Sequence, residues 1–204
     1  MKSTRLISQL LPAVLALTLA SGCGTTSSKD SVHQRPLTGG QVLPHHAALV
    51  LNPEFADYKH KFTYNLGGSE NYPIGSALQD YARNVSEKSF QQVDVVPSED
   101  KGAALTSTDI ILIPRVVKSN NSVPGFSFGG GEFNITLVAE WTVKNRATQD
   151  TVWLKTITAN ASEKVGNGIT AAKHKRILFQ KLFDDLSLKT YNAFQEAPEL
   201  RVHH

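Results

Sequence analysis

The sequence predicts an α+β fold: a two-layer sandwich in which a mostly antiparallel sheet of four to five strands carries two helices on one face. Three observations predict it. Apolar residues recur at helical spacing from Ile74 to Val85, a period of two runs from Glu132 to Lys144, and a second helical pattern runs from about Ile169 to Phe194. The element order reads β-α-β-β-β-β-α, and helices gathered on one side of an antiparallel sheet make two layers.

The first strand signal is the apolar run Ala47 to Leu51, followed by Tyr58, His60, Phe62 and Tyr64 alternating with polar residues. This reads as one strand or a bent pair around Pro53. After the turn-prone Gly67-Gly68-Ser69, the positions Ile74, Ala77, Leu78, Tyr81, Ala82 and Val85 share one helical face, so a helix is expected from after Pro73 to near Phe90. Val93, Val95 and Val96 then begin a short strand that stops at Pro97. Behind Asp109, the unbroken run Ile110-Ile111-Leu112-Ile113 suits a strand that is central or covered on both faces, and its continuation from Arg115 to Lys118 leads into a loop.

In the next strand Phe133, Ile135, Leu137, Ala139, Trp141 and Val143 alternate with polar residues, so one face meets the core. The turn-forming stretch Asn145 to Asp150 joins it to Thr151–Ala161, rich in Thr, Val, Ile and Trp, as an antiparallel hairpin. The last helix would bury Ala172, Leu178 or Phe179, Leu182, Phe183, Leu186 and Ala193. No repeat of 20 to 50 residues is present, which argues against a solenoid.

The N-terminal segment has a different character. Lys2 and Arg5 precede an apolar run through Leu19 and Ala20, too short for a hydrocarbon core that needs about 20 apolar residues. It ends in small residues before Cys23, the single cysteine of the chain, so no internal disulfide is expected. Leu19-Ala20-Ser21-Gly22-Cys23 resembles the lipobox of bacterial lipoproteins, with Ala20 where Leu is usual. That resemblance implies cleavage before Cys23, several lipid chains on Cys23, and, with Gly24 rather than Asp next, the outer membrane. One lipid chain holds only marginally and two or more hold firmly. The expected divisions are a signal peptide at 1–22, a tether at 23–45 rich in Ser, Thr, Gly and Pro, an α+β periplasmic domain at 46–197 and a tail at 198–204.

Removing Lys2 and Arg5 from the 21 basic residues leaves 19 against 18 acidic ones, so the mature chain has no polyanion-binding balance and nucleic acid is not an expected partner. None of the seven histidines has the spacing of a closed metal site; His45-His46 and His203-His204 read as solvated pairs in tether and tail. No serine sits in a Gly-x-Ser-x-Gly elbow, Asp184-Asp185 point about 100° apart on a helix, and Gly129-Gly130-Gly131 precedes a strand rather than a helix. No enzyme activity, cofactor or metal is therefore expected.

Two features stand out. The segment Ser119–Gly131 places Phe126 and Phe128 among Asn, Pro and Gly residues, as a contact for a partner groove or membrane surface would. Lys173, Lys175 and Arg176 fall in the first turns of the last helix, where positive charge opposes the helix dipole; an anionic partner would offset that cost.

The element order, the lipobox, Pro73-Ile74-Gly75 opening a helix and Thr108-Asp109-Ile110-Ile111 opening a strand together resemble a group of small envelope lipoproteins. These are the lipopolysaccharide-assembly, YajG-type, exopolysaccharide-export and curli-export lipoproteins. The resemblance spans most of residues 47–194 and implies a non-enzymatic accessory or assembly subunit, with an envelope protein or further copies of itself as partner. The alternative is a carrier or chaperone that binds an amphipathic anion, such as lipopolysaccharide or phospholipid, between sheet and helices.

Overall fold

A computed structural model describes residues 36–64, 67–99, 107–122, 131–165 and 171–202. The sheet is entered at an interior strand, β1 (Leu43–Val50), whose odd positions Leu43, Ala47 and Leu49 point into the main core while Ala48 and Val50 point the other way. It lies between β4 (Phe90–Val96) and β5 (Ile110–Ser122) and runs parallel to both, with Ala47 opposite Val93 on one side and Ile110 on the other. A parallel central strand is covered on both faces, which is why Ala48, Val50, Val96 and Ile111 form a second small apolar cluster. The unbroken apolar run at 110–113 expresses the same placement.

From β5 the chain continues antiparallel through β6 (Gly131–Asn145) and β7 (Thr151–Val165), giving the order β4-β1-β5-β6-β7. The two-layer α+β expectation holds, with a mixed sheet: antiparallel across β5, β6 and β7, parallel around β1. A bulge between Val116 and Lys118 interrupts the β5–β6 register and leaves Val117 exposed. In the turn after β6, Asn145 Oδ1 accepts the N–H groups of Ala147 and Thr148 at 2.8 and 3.0 Å, and Gln149 takes φ 63° before β7 begins.

The first strand signal resolves into two separate strands. Asn52 caps the short helix α1 (Pro53–Ala56) by accepting the Phe55 N–H at 2.9 Å, and this turn carries the chain out of the main sheet. β2 (Lys59–Thr63) then pairs with β3 (Ser69–Pro73) as an independent two-stranded sheet. α2 (Gly75–Ser89) follows, burying Leu78, Tyr81, Ala82 and Val85 as its spacing predicts. Gly75 is required by packing: a Cβ there would lie 1.9 Å from the Ala56 carbonyl oxygen.

α3 (Ala171–Glu196) spans the helical layer and buries both Leu178 and Phe179, then Leu182, Phe183, Leu186 and Phe194. Between the layers Trp141 Nε1 donates to the Tyr81 hydroxyl at 2.8 Å, which is 2.6 Å from Thr190 Oγ1, so one buried polar chain joins β6, α2 and α3.

α3 also closes an edge of the sheet. Lys181 Nζ donates to the Ser162 carbonyl at 3.1 Å, Asp185 Oδ2 accepts the Asn160 N–H at 3.0 Å, and Lys189 Nζ donates to the Thr158 carbonyl at 3.0 Å. Four helical residues advance about 6.0 Å and two strand residues about 6.7 Å, so a row at 181, 185 and 189 stays in step with 162, 160 and 158. The unpaired backbone of an edge strand is thereby withheld from other chains.

The folded unit reaches past both expected ends. Leu43, His45 and Leu200 are buried, and His45 Nε2 is 3.0 Å from the Leu200 carbonyl within the 3-10 turn Pro198–Leu200. His45-His46 is therefore not a solvated pair in a tether. His46 Nε2 is 2.8 Å from Asp94 Oδ2, and its N–H donates to Asp109 at 2.9 Å. These partners offset the polarity that made the pair read as solvent-facing.

Candidate functional site

Buried polar and titratable groups gather where the β2–β3 hairpin closes over the start of α3 and the far end of β5. The alternation of Tyr58, His60 and Phe62 puts these side chains toward the body of the protein. The Tyr58 hydroxyl is 2.6 Å from Ser119 Oγ, and His60 Nδ1 is 2.9 Å from the same oxygen. Asn121 fastens the hairpin from β5 as a backbone would: its Nδ2 donates to the Thr63 carbonyl at 3.0 Å and its Oδ1 accepts the Thr63 N–H at 3.1 Å.

His60 is fully buried, and its Nε2 meets no hydrogen-bond partner among the described residues. Burial lowers its pKa below the ordinary histidine value, against a smaller opposing contribution from Asn121, so the ring is neutral near pH 7. Aromatic rings surround it. Phe62 and Phe179 lie edge-on at 4.7 and 5.9 Å, and Tyr72 stacks on Phe179 at 5.0 Å.

Lys175 enters this hairpin from α3. Its ammonium is 2.5 Å from Glu70 Oε2 and lies 5.1 Å from the centre of the Phe62 ring and 5.8 Å from those of Tyr64 and Tyr72. The Tyr64 hydroxyl donates to the same Glu70 oxygen at 2.7 Å. Hydrogen bonds from Lys175 and then Tyr64 hold the Glu70 carboxyl below its usual range. Burial alone would lower Lys175, but its bonds to Glu70 and Tyr64 outweigh that and hold its pKa up. Next to it His174 is buried, with Nδ1 3.7 Å from Glu163 Oε1 and neither ring nitrogen hydrogen-bonded among the described residues; Glu163 pairs instead with Lys181 at 2.6 Å.

Of the residues singled out from sequence, Cys23, Phe126 and Phe128 lie outside the described residues. Lys173, Lys175 and Arg176 do not share a surface: Lys173 and Arg176 are exposed, and Lys175 is turned inward. The anion that offsets Lys175 at the helix start is Glu70, 105 residues away in the chain. Sequence reasoning missed His60, Ser119, Glu70 and Tyr72 as one constellation. The available signal was the aromatic alternation from Tyr58 to Tyr64, which gives the strand and not its partners. Among the described residues no three of His, Cys, Asp and Glu converge as metal ligands, and no helix is long and apolar enough to cross a membrane.

No protein-family model and no curated protein matches the chain. Among solved structures, a Xanthomonas campestris protein described as DUF330 is similar at a TM-score of 0.56 and 12% identity, over 81% of this chain and 91% of that one. A minor lipoprotein of Acinetobacter baumannii is similar at 0.40 and 13%, over 77% and 93%. A lipoprotein of Neisseria meningitidis is similar at 0.33 and 13%, over 66% and 93%. At these identities a likeness speaks for fold alone, and the Xanthomonas protein is the one of the three whose fold this chain shares.

Proposed function

We propose that this chain is a bacterial envelope lipoprotein, cut before Cys23 and held by lipid at that residue on the periplasmic side of the outer membrane. Its folded domain serves a cell-envelope complex as a non-enzymatic accessory or assembly subunit. The observation that carries this is the single cysteine behind a charged and apolar leader and small residues. Leu37 packs against the core, so the chain from Cys23 to that point spans at most about 50 Å when fully extended. The domain would act within that distance of the membrane.

The carrier reading requires room for acyl chains between sheet and helices. In the described residues that space holds Trp141, Tyr81, Phe183 and Phe194, all wholly buried, which favours the accessory reading. Two experiments test the proposal. Cys23→Ala should leave an unprocessed or mislocalised precursor, and normal fractionation with the outer membrane would defeat the anchoring. The native lipoprotein should bring down a stoichiometric envelope partner or a ring of its own copies, and Phe126→Ser with Phe128→Ser should weaken that association. Recovery of lipid alone, lost on Lys173→Ala with Arg176→Ala, would favour the carrier instead.

A further inference from the structure

We propose that Phe62, Tyr64, Tyr72 and Glu70 form a binding site for an alkylammonium group, and that Lys175 of the same chain is its built-in occupant, displaced when an external ammonium binds. Three ring faces within 6 Å of a cation, completed by a carboxylate, are what recognition of ammonium ions requires. Such a cage takes primary or methylated ammonium alike, because the attraction is to charge spread over the head group.

Two details mark Lys175 as a replaceable occupant. The Tyr64 hydroxyl holds the same Glu70 oxygen that Lys175 uses, so the carboxylate stays oriented when the lysine leaves. The Glu70 side chain is 48% exposed against 9% for Lys175, so the cage has a solvent-facing wall through which a ligand can enter.

The ammonium could come from a lysine side chain of a partner protein or from an ethanolamine or choline head group. The two sources differ in what adjoins the ammonium: a head group carries a phosphate and a lysine side chain an alkyl stem.

The test uses the full chain in a non-ionic detergent. Lys175→Ala empties the cage and should bind tetramethylammonium and methylammonium saturably, read by calorimetry and by shifts of the Tyr and Phe ring resonances. The wild type should bind about tenfold more weakly or less, because a tethered competitor acts at a millimolar or higher effective concentration. Adding Glu70→Gln to Lys175→Ala should abolish the binding. N-acetyl-lysine amide and phosphocholine then distinguish the sources, by which of the two binds Lys175→Ala the more tightly.

A second measurement needs no variant. In the wild type, tetramethylammonium should speed acylation of Lys175 by an amine-reactive ester, followed by mass spectrometry, relative to sodium chloride at equal ionic strength. Unchanged Lys175 reactivity, equal affinity in wild type and Lys175→Ala, or a folded Lys175→Ala protein that binds no ammonium would each overturn the proposal.

Discussion

Tyr81→Phe should cost far more than the loss of one oxygen suggests. An indole N–H only donates, so Tyr81 accepts the proton of Trp141 Nε1 at 2.8 Å and passes its own to Thr190 at 2.6 Å. All three side chains are wholly buried, and burial pushes the Tyr81 phenol far above its usual pKa. Phenylalanine keeps the ring but leaves the Trp141 N–H without an acceptor and Thr190 without a donor. An unsatisfied buried donor costs about 1–3 kcal/mol and a lost hydrogen bond about 1 kcal/mol, so roughly 2–4 kcal/mol is expected in all. In a domain of this size that lowers the melting temperature by about 5–15 °C. Urea unfolding followed by circular dichroism measures the loss. Thr190→Val should cost about 1 kcal/mol in the wild type and much less in Tyr81→Phe, because the bond it removes is already gone. A Tyr81→Phe protein within about 0.5 kcal/mol of wild type, or full additivity of the two changes, would refute the one-way chain.

Gly75→Ala normally favours a helix by about 1 kcal/mol, but the Cβ would sit 1.9 Å from the Ala56 carbonyl, so a net loss of about 1–3 kcal/mol is expected in a thermal melt. Asp185→Ala removes the acceptor for the Asn160 N–H at the β7 edge; water replaces much of it, so stability should fall by only about 0.5–1 kcal/mol while light scattering detects new self-association. The folded-state pKa of His60 lies below 6.5, so as pH falls the unfolded chain takes its proton first. The stability present above pH 6.5 is then lost progressively toward the lower folded-state value, and the urea midpoint of His60→Leu should lose that part of its acid dependence. Lys175→Met with Glu70→Gln should leave stability within about 1 kcal/mol of wild type, since Glu70 is 48% exposed and a partly exposed ion pair contributes only about 0–1 kcal/mol; a fall of several kcal/mol would show the pair to be a structural pin.

Local spacing made α2 and β6 legible, because each is decided by which residues face the core: Leu78, Tyr81, Ala82 and Val85 in one, Ile135 to Val143 in the other. Where the deciding partner is distant, the reading went astray. His45 and His46 looked solvated because their partners are Leu200, Asp94 and Asp109, which lie 155, 48 and 63 residues away. Lys175 looked like part of a basic surface for the same reason. β3 left no signal at all: Ser69-Glu70-Asn71 is polar and exposed, and the strand exists through its backbone pairing with β2 rather than through burial. The sheet and helix layers follow from apolar periodicity, whereas the hairpin site follows from long-range polar pairing, which periodicity does not encode.

That division bears on where function sits. The space between sheet and helices is filled largely by aliphatic and aromatic groups crossed by one polar chain, and the hydroxyls of Ser86, Ser89 and Ser187 on the helices are buried without a partner among the described residues. At the β2–β3 hairpin the departures are larger: His60 carries a buried ring nitrogen without a hydrogen bond among the described residues, and Lys175 takes a charge inward. An apolar side chain from α3 would close the same gap beneath Phe62 and Tyr72 without desolvating an ammonium, so holding the hairpin down does not by itself account for Lys175. Local rules are broken in proteins chiefly where something other than stability is served. What an apolar filler cannot do is exchange with another cation, and that exchange is what the cage around Lys175 is built to permit.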